Sequence, residues 1–352
     1  MKTTPTEKIR VLIVDDSLVS QKFYRHLLEQ DERFSVLGVV SDGREAVEFV
    51  RHQKPDVINM DIHMPLMDGI EATRLIMQTH PVPIVVCSSL YDSTQQEMSM
   101  HALDAGAVAI LPKPFGPGHP QHEKSTQYWL KMIRSMSEVK VIRRLPHLTA
   151  KVRAENQPST HVAHDFKLLL IGASAGGPEG VKTVLSKLGT GFYLPVVIVQ
   201  HIDANFTESY RMWLQSYTSL PVVIAGVDEA LVPGKAYLAP GDYHLIVKQQ
   251  GKLTLSSDLP VNGHRPSVAR LFESAAKVYG ENVIAILLSG MGKDGAAELK
   301  ILKDKGALTY AQSEESCLVF GMPGEAVRIG AAVKVADPEA IINDVLKIKS
   351  SY

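Results

Sequence analysis

Apolar residues along the chain fall into two series of short runs, each run four to six residues long and bounded by turn residues. The first series is Val11–Val14, Val36–Val40, Val57–Met60, Ile84–Cys87 and Val108–Leu111. The second is Leu168–Ile171, Val196–Val199 and Val283–Leu288. Continuous apolar runs of this length, closed by turn signals, predict strands buried on both faces. Between them lie helical patterns such as Gln21–Leu28, Glu45–Val50, Ser267–Tyr279 and Ala296–Leu302. Alternation of buried strand and amphipathic helix predicts two α/β units, each with a parallel sheet covered by helices. One stretch departs from that rhythm. Val232 to Ser257, containing AYLAPGDYHLIVKQQGKLTLSS, alternates in polarity and is punctuated by Pro and Gly. It predicts an antiparallel β-hairpin insertion.

The segment between the two series has a different composition. Gly116, Pro117, Gly118 and Pro120 mark a break, and Tyr128–Met136 predicts a helix that closes the first unit. After it comes KVIRRLPHLTAKVRAENQPSTHVAHD, mixed, polar and basic, which is linker composition. The expected division is a first domain at 1–138, a linker at 139–165 and a second domain at 166–352. A length of 352 residues accommodates two ordinary domains. The linker also holds His147, His161 and His164; a metal site there would need convergent ligands at fixed spacing, and none is expected.

Charge and composition narrow the function. The formal net charge is −1, which argues against a broad electrostatic grip on nucleic acid. No apolar stretch approaches the roughly 20 residues that span a bilayer, and the expected location is the cytoplasm. Cys87 and Cys317 lie in separate apolar runs, outside any metal-type spacing, and are expected to be buried thiols in a reducing compartment.

The first series ends its strands in a particular set of side chains. Asp15 and Asp16 follow strand one, Asp61 ends strand three, Ser88 follows strand four and Lys113 follows strand five. In a parallel sheet these carboxyl ends meet at one edge, where ligands bind. Three carboxylates there repel one another unless a divalent cation neutralises them, and Mg²⁺ suits such an oxygen set. A hydroxyl and an ammonium facing the cation are suited to grip a phosphoryl group on Asp61. Each acid taken singly is equally explained as a helix cap. Five residues of three types at four ordered strand ends are not.

In the second series Leu168–Ile171 runs into Gly172-Ala173-Ser174-Ala175-Gly176-Gly177-Pro178. This is G-x-S-x-G between a strand and a helix, the context in which the motif exposes a nucleophilic serine. The amides of the following helix face a developing oxyanion, and Pro178 suits the first turn. A dinucleotide loop would need glycine where Ser174 stands. His201 follows the next strand directly and is a candidate general base if the two strands are neighbours. Asp294, in LLSGMGKDG after a further strand, is a candidate to orient that imidazole, or else a helix cap. Loop amides near Met291 are candidate oxyanion donors. The order Ser, His, Asp differs from the Ser, Asp/Glu, His order of α/β-hydrolases.

The first series resembles the receiver domain of bacterial response regulators. The segments IGASAGG, QH at 200–201, AYLAPGDYH, NGHRPSV, LLSGMGKDGA and CLVFGMPGEA resemble the chemotaxis methylesterases of the CheB type. With the receiver, the resemblance covers nearly the whole chain except the linker. It implies an N-terminal doubly wound five-stranded parallel receiver domain and a C-terminal Rossmann-like α/β hydrolytic domain with a β-hairpin insertion. It implies that Asp61 is phosphorylated, that Asp15 and Asp16 with Asp61 bind Mg²⁺, and that Ser88 and Lys113 sense the phosphoryl group. It further implies a Ser174–His201–Asp294 triad needing no cofactor, which hydrolyses glutamate γ-methyl esters on methyl-accepting chemoreceptors and deamidates receptor glutamines. A chemotaxis-type sensor histidine kinase is the implied phosphodonor. One departure is Ala175, where some members have threonine. A DNA-binding response regulator is disfavoured, because the C-terminal half lacks a helix-turn-helix pattern and a basic recognition helix.

Overall fold

A computed structural model of the chain describes residues 8–89, 93–139, 141 and 165–348. Most of the linker, with all three of its histidines, lies outside the described residues. The chain divides into two compact units, residues up to 143 together with Ile202–Trp213, and residues 144–201 together with those from Leu214 onward.

The first unit alternates β1 (Ile9–Val14), α1 (Leu18–Glu29), β2 (Phe34–Val40), α2 (Gly43–His52), β3 (Val57–Asp61), α3 (Gly69–Thr79), β4 (Ile84–Ser88), α4 (Ser93–Ala105), β5 (Ala109–Pro112) and α5 (His122–Ser137). The five strands form one parallel sheet in the order β2-β1-β3-β4-β5. Val11, Leu12, Ile13 and Val14 are all fully buried, as are Ile84, Val85 and Val86. Burial of such a side chain contributes roughly 1.5–3 kcal/mol relative to exposure, which is why the apolar runs locate the strands. Behind the sheet, Trp129 Nε1 and Cys87 Sγ both donate to Asn59 Oδ1, at 3.1 and 2.9 Å. Burial pushes the Cys87 thiol up to about 12, so it stays protonated, and Cys317 is likewise a buried free thiol.

The elements after the linker are β6 (Leu168–Ala173), α6 (Pro178–Ser186), β7 (Val196–Gln200), α7 (Thr207–Gln215), β8 (Val222–Ile224), β9 (Glu229–Ala230), β10 (Ala236–Leu238), β11 (His244–Lys248), β12 (Lys252–Ser256), α8 (Val268–Val278), β13 (Val283–Leu287), α9 (Ala296–Asp304), β14 (Leu308–Gln312), α10 (Met322–Arg328), β15 (Lys334–Ala336) and α11 (Pro338–Leu346). Seven strands make a parallel sheet in the order β15-β14-β13-β6-β7-β10-β8. Leu168 and Leu170 of β6 join the core cluster of Val268, Leu271 and Phe272 from α8. Leu169 and Ile171, which alternate with them, are equally buried. Both faces of the sheet are therefore covered, as an all-parallel sheet requires.

The expected hairpin insertion is present but shorter than the alternating stretch. β11 pairs antiparallel with β12, and β12 with β9. Ala236–Leu238, which the alternation assigned to the hairpins, is instead a parallel strand of the main sheet between β7 and β8. All three of its residues are buried. A three-residue strand is too short for its burial on both faces to register as a continuous apolar run.

Candidate functional site

Both parallel sheets reverse strand order beside the strand that opens them. In such sheets the crevice outside the carboxyl ends, at the reversal, is where ligands bind. In the first unit the reversal lies between β1 and β3, and in the second between β6 and β13.

At the first reversal, ligand atoms of Asp15, Asp16 and Asp61 lie within 4.8 Å of one another. Asp15 and Asp61 are buried, whereas Asp16 is exposed. Lys113 Nζ lies 2.9 Å from Asp61 Oδ2 and 3.1 Å from Asp15 Oδ2. Burial raises the Asp61 carboxyl, the Lys113 ammonium pulls it down and Asp15 raises it again, with a net rise. Burial alone would lower Lys113, but its two carboxylate partners outweigh that and raise it. The Ser88 hydroxyl is buried at the next strand end with no hydrogen-bond partner among the described residues. The helix-cap explanation of the acids fails here, because other residues cap these helices. Ser17 accepts from Ser20 N at the start of α1, and Asp68 accepts from Glu71 N at the start of α3. Three convergent carboxylates, one of them open to solvent, are a donor set that fits a hard divalent cation. The unpartnered hydroxyl and the ammonium fit phosphoryl oxygens.

At the second reversal, Ser174 follows β6, His201 follows β7 and Asp294 lies in the loop after β13. The β6–β7 register pairs Ala173 with Gln200, and His201 N donates to Ala173 O at 2.9 Å. Ser174 and His201 therefore occupy the next position on adjacent strands. The imidazole is bonded on one side only. Its Nε2 lies 3.0 Å from Asp294 Oδ2, while its Nδ1 is buried without a hydrogen-bond partner among the described residues. With Nε2 as the N–H donor to the carboxylate, Nδ1 is left with a free lone pair.

Asp294 is almost fully buried, at 1% exposed. It accepts from Ser267 Oγ at 2.9 Å, Val268 N at 2.7 Å, Ala269 N at 3.3 Å and Asn262 Nδ2 at 3.3 Å. The helix-cap expectation thus has a counterpart, but on another helix. Asp294 serves the first amides of α8, while α9 has Gly295 at its N-cap and no side-chain cap. Burial tends to raise this carboxyl, but hydrogen bonding and charge from His201, with the Ser267 and Val268 bonds, bring it down to about 2. A carboxylate depressed on folding stabilises the fold above its unfolded value of 3.8 and loses that stabilisation as pH falls towards 2. Chemical unfolding followed from pH 5 to pH 2 should show the wild-type advantage over Asp294→Asn shrinking by about 2 kcal/mol. A pH-independent difference would contradict the depressed carboxyl.

The turn carrying Ser174 is fixed by its neighbours. Ser174 N donates to Ser289 O at 3.0 Å, and Gln200 Nε2 donates to Ser174 O at 2.8 Å. A Cβ on Gly290 would lie 2.8 Å from Ser174 Cβ and 2.4 Å from Met322 Sδ, so the close approach of the two loops needs glycine there. Met291, the candidate oxyanion donor, follows Gly290, whose carbonyl accepts from Gly321 N and Met322 N. Ala175 contributes its carbonyl to the Ser289 hydroxyl at 2.9 Å. Asn262, Ser267 and Gln200 were not singled out from the sequence. All three stand in the segments QH and NGHRPSV, which carried the resemblance without giving these residues a role.

A phosphoacceptor-type acidic pocket on one parallel sheet and a Ser/His/Asp constellation on another define a response regulator joined to a serine hydrolase. Residues 11–122 match the response regulator receiver domain, and residues 169–345 match the CheB methylesterase. The protein-glutamate methylesterase/protein-glutamine glutaminase of Nitrosospira multiformis is 43% identical over 95% of this chain and 95% of its own. A Geobacter metallireducens protein of the same name is 44% identical over 95% of this chain and 97% of its own. The crystal structure of the Thermotoga maritima CheB methylesterase catalytic domain is 36% identical, with a TM-score of 0.51, covering 52% of this chain and 99% of that one. The chain belongs to the CheB methylesterase family, with an N-terminal receiver domain.

Proposed function

We propose that the chain hydrolyses glutamate γ-methyl esters on chemoreceptors, releasing methanol, and deamidates receptor glutamines, under control of phosphorylation at Asp61. The observation that carries the hydrolytic half is the one-sided bonding of His201, which follows the strand next to that of Ser174: its Nε2 is held by Asp294 and its Nδ1 has no partner among the described residues. Ser174 Oγ attacks the ester carbonyl carbon and its proton passes to His201 Nδ1. Asp294 stabilises the imidazolium. Backbone amides at Met291 and the start of α6 receive the oxyanion. The proton then goes to the leaving methoxide, methanol departs, and water hydrolyses the acyl-serine by the same route. With a glutamine amide the leaving group is ammonia.

In the receiver, Asp15, Asp16 and Asp61 would hold Mg²⁺, which supplies neutralising charge during phosphoryl transfer. Asp61 accepts the phosphoryl group from a chemotaxis-type sensor histidine kinase, and Ser88 and Lys113 bind its oxygens. Receptors of this kind are membrane proteins. Among the described residues no helix is long and apolar enough to cross a membrane, and we assign the enzyme to the cytoplasmic side of its substrates.

The test is methanol release from a methylated receptor signalling fragment, with and without an acyl phosphate donor and Mg²⁺. Wild type should respond to the donor, and Asp61→Asn should keep basal release while losing the response and incorporating no phosphoryl label. Absence of release from wild type under every condition would overturn the substrate assignment. Undiminished labelling of Asp61→Asn would overturn the acceptor assignment.

A further inference from the structure

The segment between β12 and α8 carries Val261-Asn262-Gly263-His264. Asn-Gly between paired residues is the sequence of a two-residue type I′ turn, in which both central residues need positive φ. Here Asn262 has φ 53° and Gly263 has φ 81°. Val261 and His264 exchange both backbone hydrogen bonds, at 3.0 and 2.9 Å. A turn closed on both sides has little freedom, so the side chains of Asn262 and His264 leave it in fixed directions. Both end on the His201–Asp294 pair. Asn262 Nδ2 donates to Asp294 Oδ1 at 3.3 Å. The His264 ring lies flat against His201, with centroids 3.9 Å apart and planes 6° from parallel.

We infer that this turn is a positioning clip for the general base, with His264 as a flat stop behind His201 and Asn262 as a brace on Asp294. The inference rests on the roles given above to Ser174, His201 and Asp294. An imidazole held through Nε2 alone can still pivot about that hydrogen bond, and a tilt swings Nδ1 away from the serine. A parallel ring at van der Waals distance blocks tilting towards that side. His264 acts through His201 and is a positioning residue. The sequence pattern encodes the clip in four consecutive residues, because the turn that fixes the backbone also aims both side chains.

The experiment measures inactivation of the full-length, phosphodonor-treated protein by a fluorophosphonate, which reads Ser174 reactivity without any receptor substrate. Four proteins are compared: wild type, His264→Leu, His264→Phe and Asn262→Gly. Leucine keeps apolar volume without a flat face, phenylalanine keeps the flat face without ring nitrogens, and glycine keeps the positive φ without the amide. His264→Leu should react roughly 10–100-fold more slowly, the scale for a misplaced catalytic group. His264→Phe should stay close to wild type, with Asn262→Gly between them. In ester turnover the loss should fall on kcat with KM unchanged, because the clip acts on the transition state. Folding is checked by thermal melting of each variant. Wild-type reactivity in His264→Leu overturns the inference, and so does a His264→Phe variant as slow as His264→Leu. An unreactive wild type overturns the serine-hydrolase reading, and this inference with it.

Discussion

Ser174→Ala should lower methanol release from a methylated receptor fragment by roughly 10⁴–10⁶-fold, the range for loss of the nucleophile in such triads. The size of the effect follows from what the hydroxyl does in the scheme. Without Oγ no acyl-enzyme forms, and His201 and the oxyanion donors retain only weak assistance to direct attack by water. The substitution is also structurally mild. The contacts that hold the turn run through the backbone of residue 174, whose N–H bonds Ser289 O and whose carbonyl accepts from Gln200. Alanine keeps both, so thermal unfolding should change little while activity collapses. Release from Ser174→Ala equal to wild type would sink the mechanism. A large loss accompanied by unfolding would point to the turn rather than to the nucleophile.

The parts of this site that were legible in the sequence are those at strand ends. Asp15, Asp61 and Ser88 directly follow a buried apolar run, and Ser174 and His201 stand just past the end of one, so locating the strand located the residue. The pairing of strands was not legible. Nothing in the local pattern says that β6 lies between β7 and β13, yet that order alone brings Ser174, His201 and Asp294 to one crevice. Asp294 shows the limit clearly. Its loop position fitted a cap for the helix that follows it, whereas the carboxylate turns instead to the amides of α8, which starts 26 residues earlier. A contact of that kind depends on two loops meeting across the sheet edge. Ala236–Leu238 failed for a different reason. Three residues embedded in an alternating stretch carry too little pattern to separate a buried parallel strand from a hairpin arm.

Asp294→Asn should lower kcat by about 10⁴-fold, comparable to the loss when the aspartate of the serine-protease triad becomes asparagine. The reason lies in the donors that converge on this side chain. Oδ2 accepts from His201 Nε2 and from Val268 N, and Oδ1 accepts from Ser267 Oγ and more weakly from Ala269 N and Asn262. An asparagine keeps one oxygen for one of these groups and presents an NH₂ to the other. If the oxygen stays with Ser267, the amide N–H faces His201 Nε2 and forces that nitrogen to become the acceptor. The ring proton then moves to Nδ1, and the free lone pair that makes His201 a base is gone. If the amide turns the other way, Val268 N and His201 keep their acceptor. Ser267 can rotate its hydroxyl to accept, but Ala269 N and the Asn262 amide meet a donor, and His201 still loses the negative charge that stabilises its imidazolium. Proton-detected NMR of the imidazole should report Nε2–H in the wild type and Nδ1–H in the first orientation. Retention of wild-type kcat by Asp294→Asn, with the Nε2–H tautomer intact, would remove Asp294 from the reaction and leave it only the start of α8 to hold.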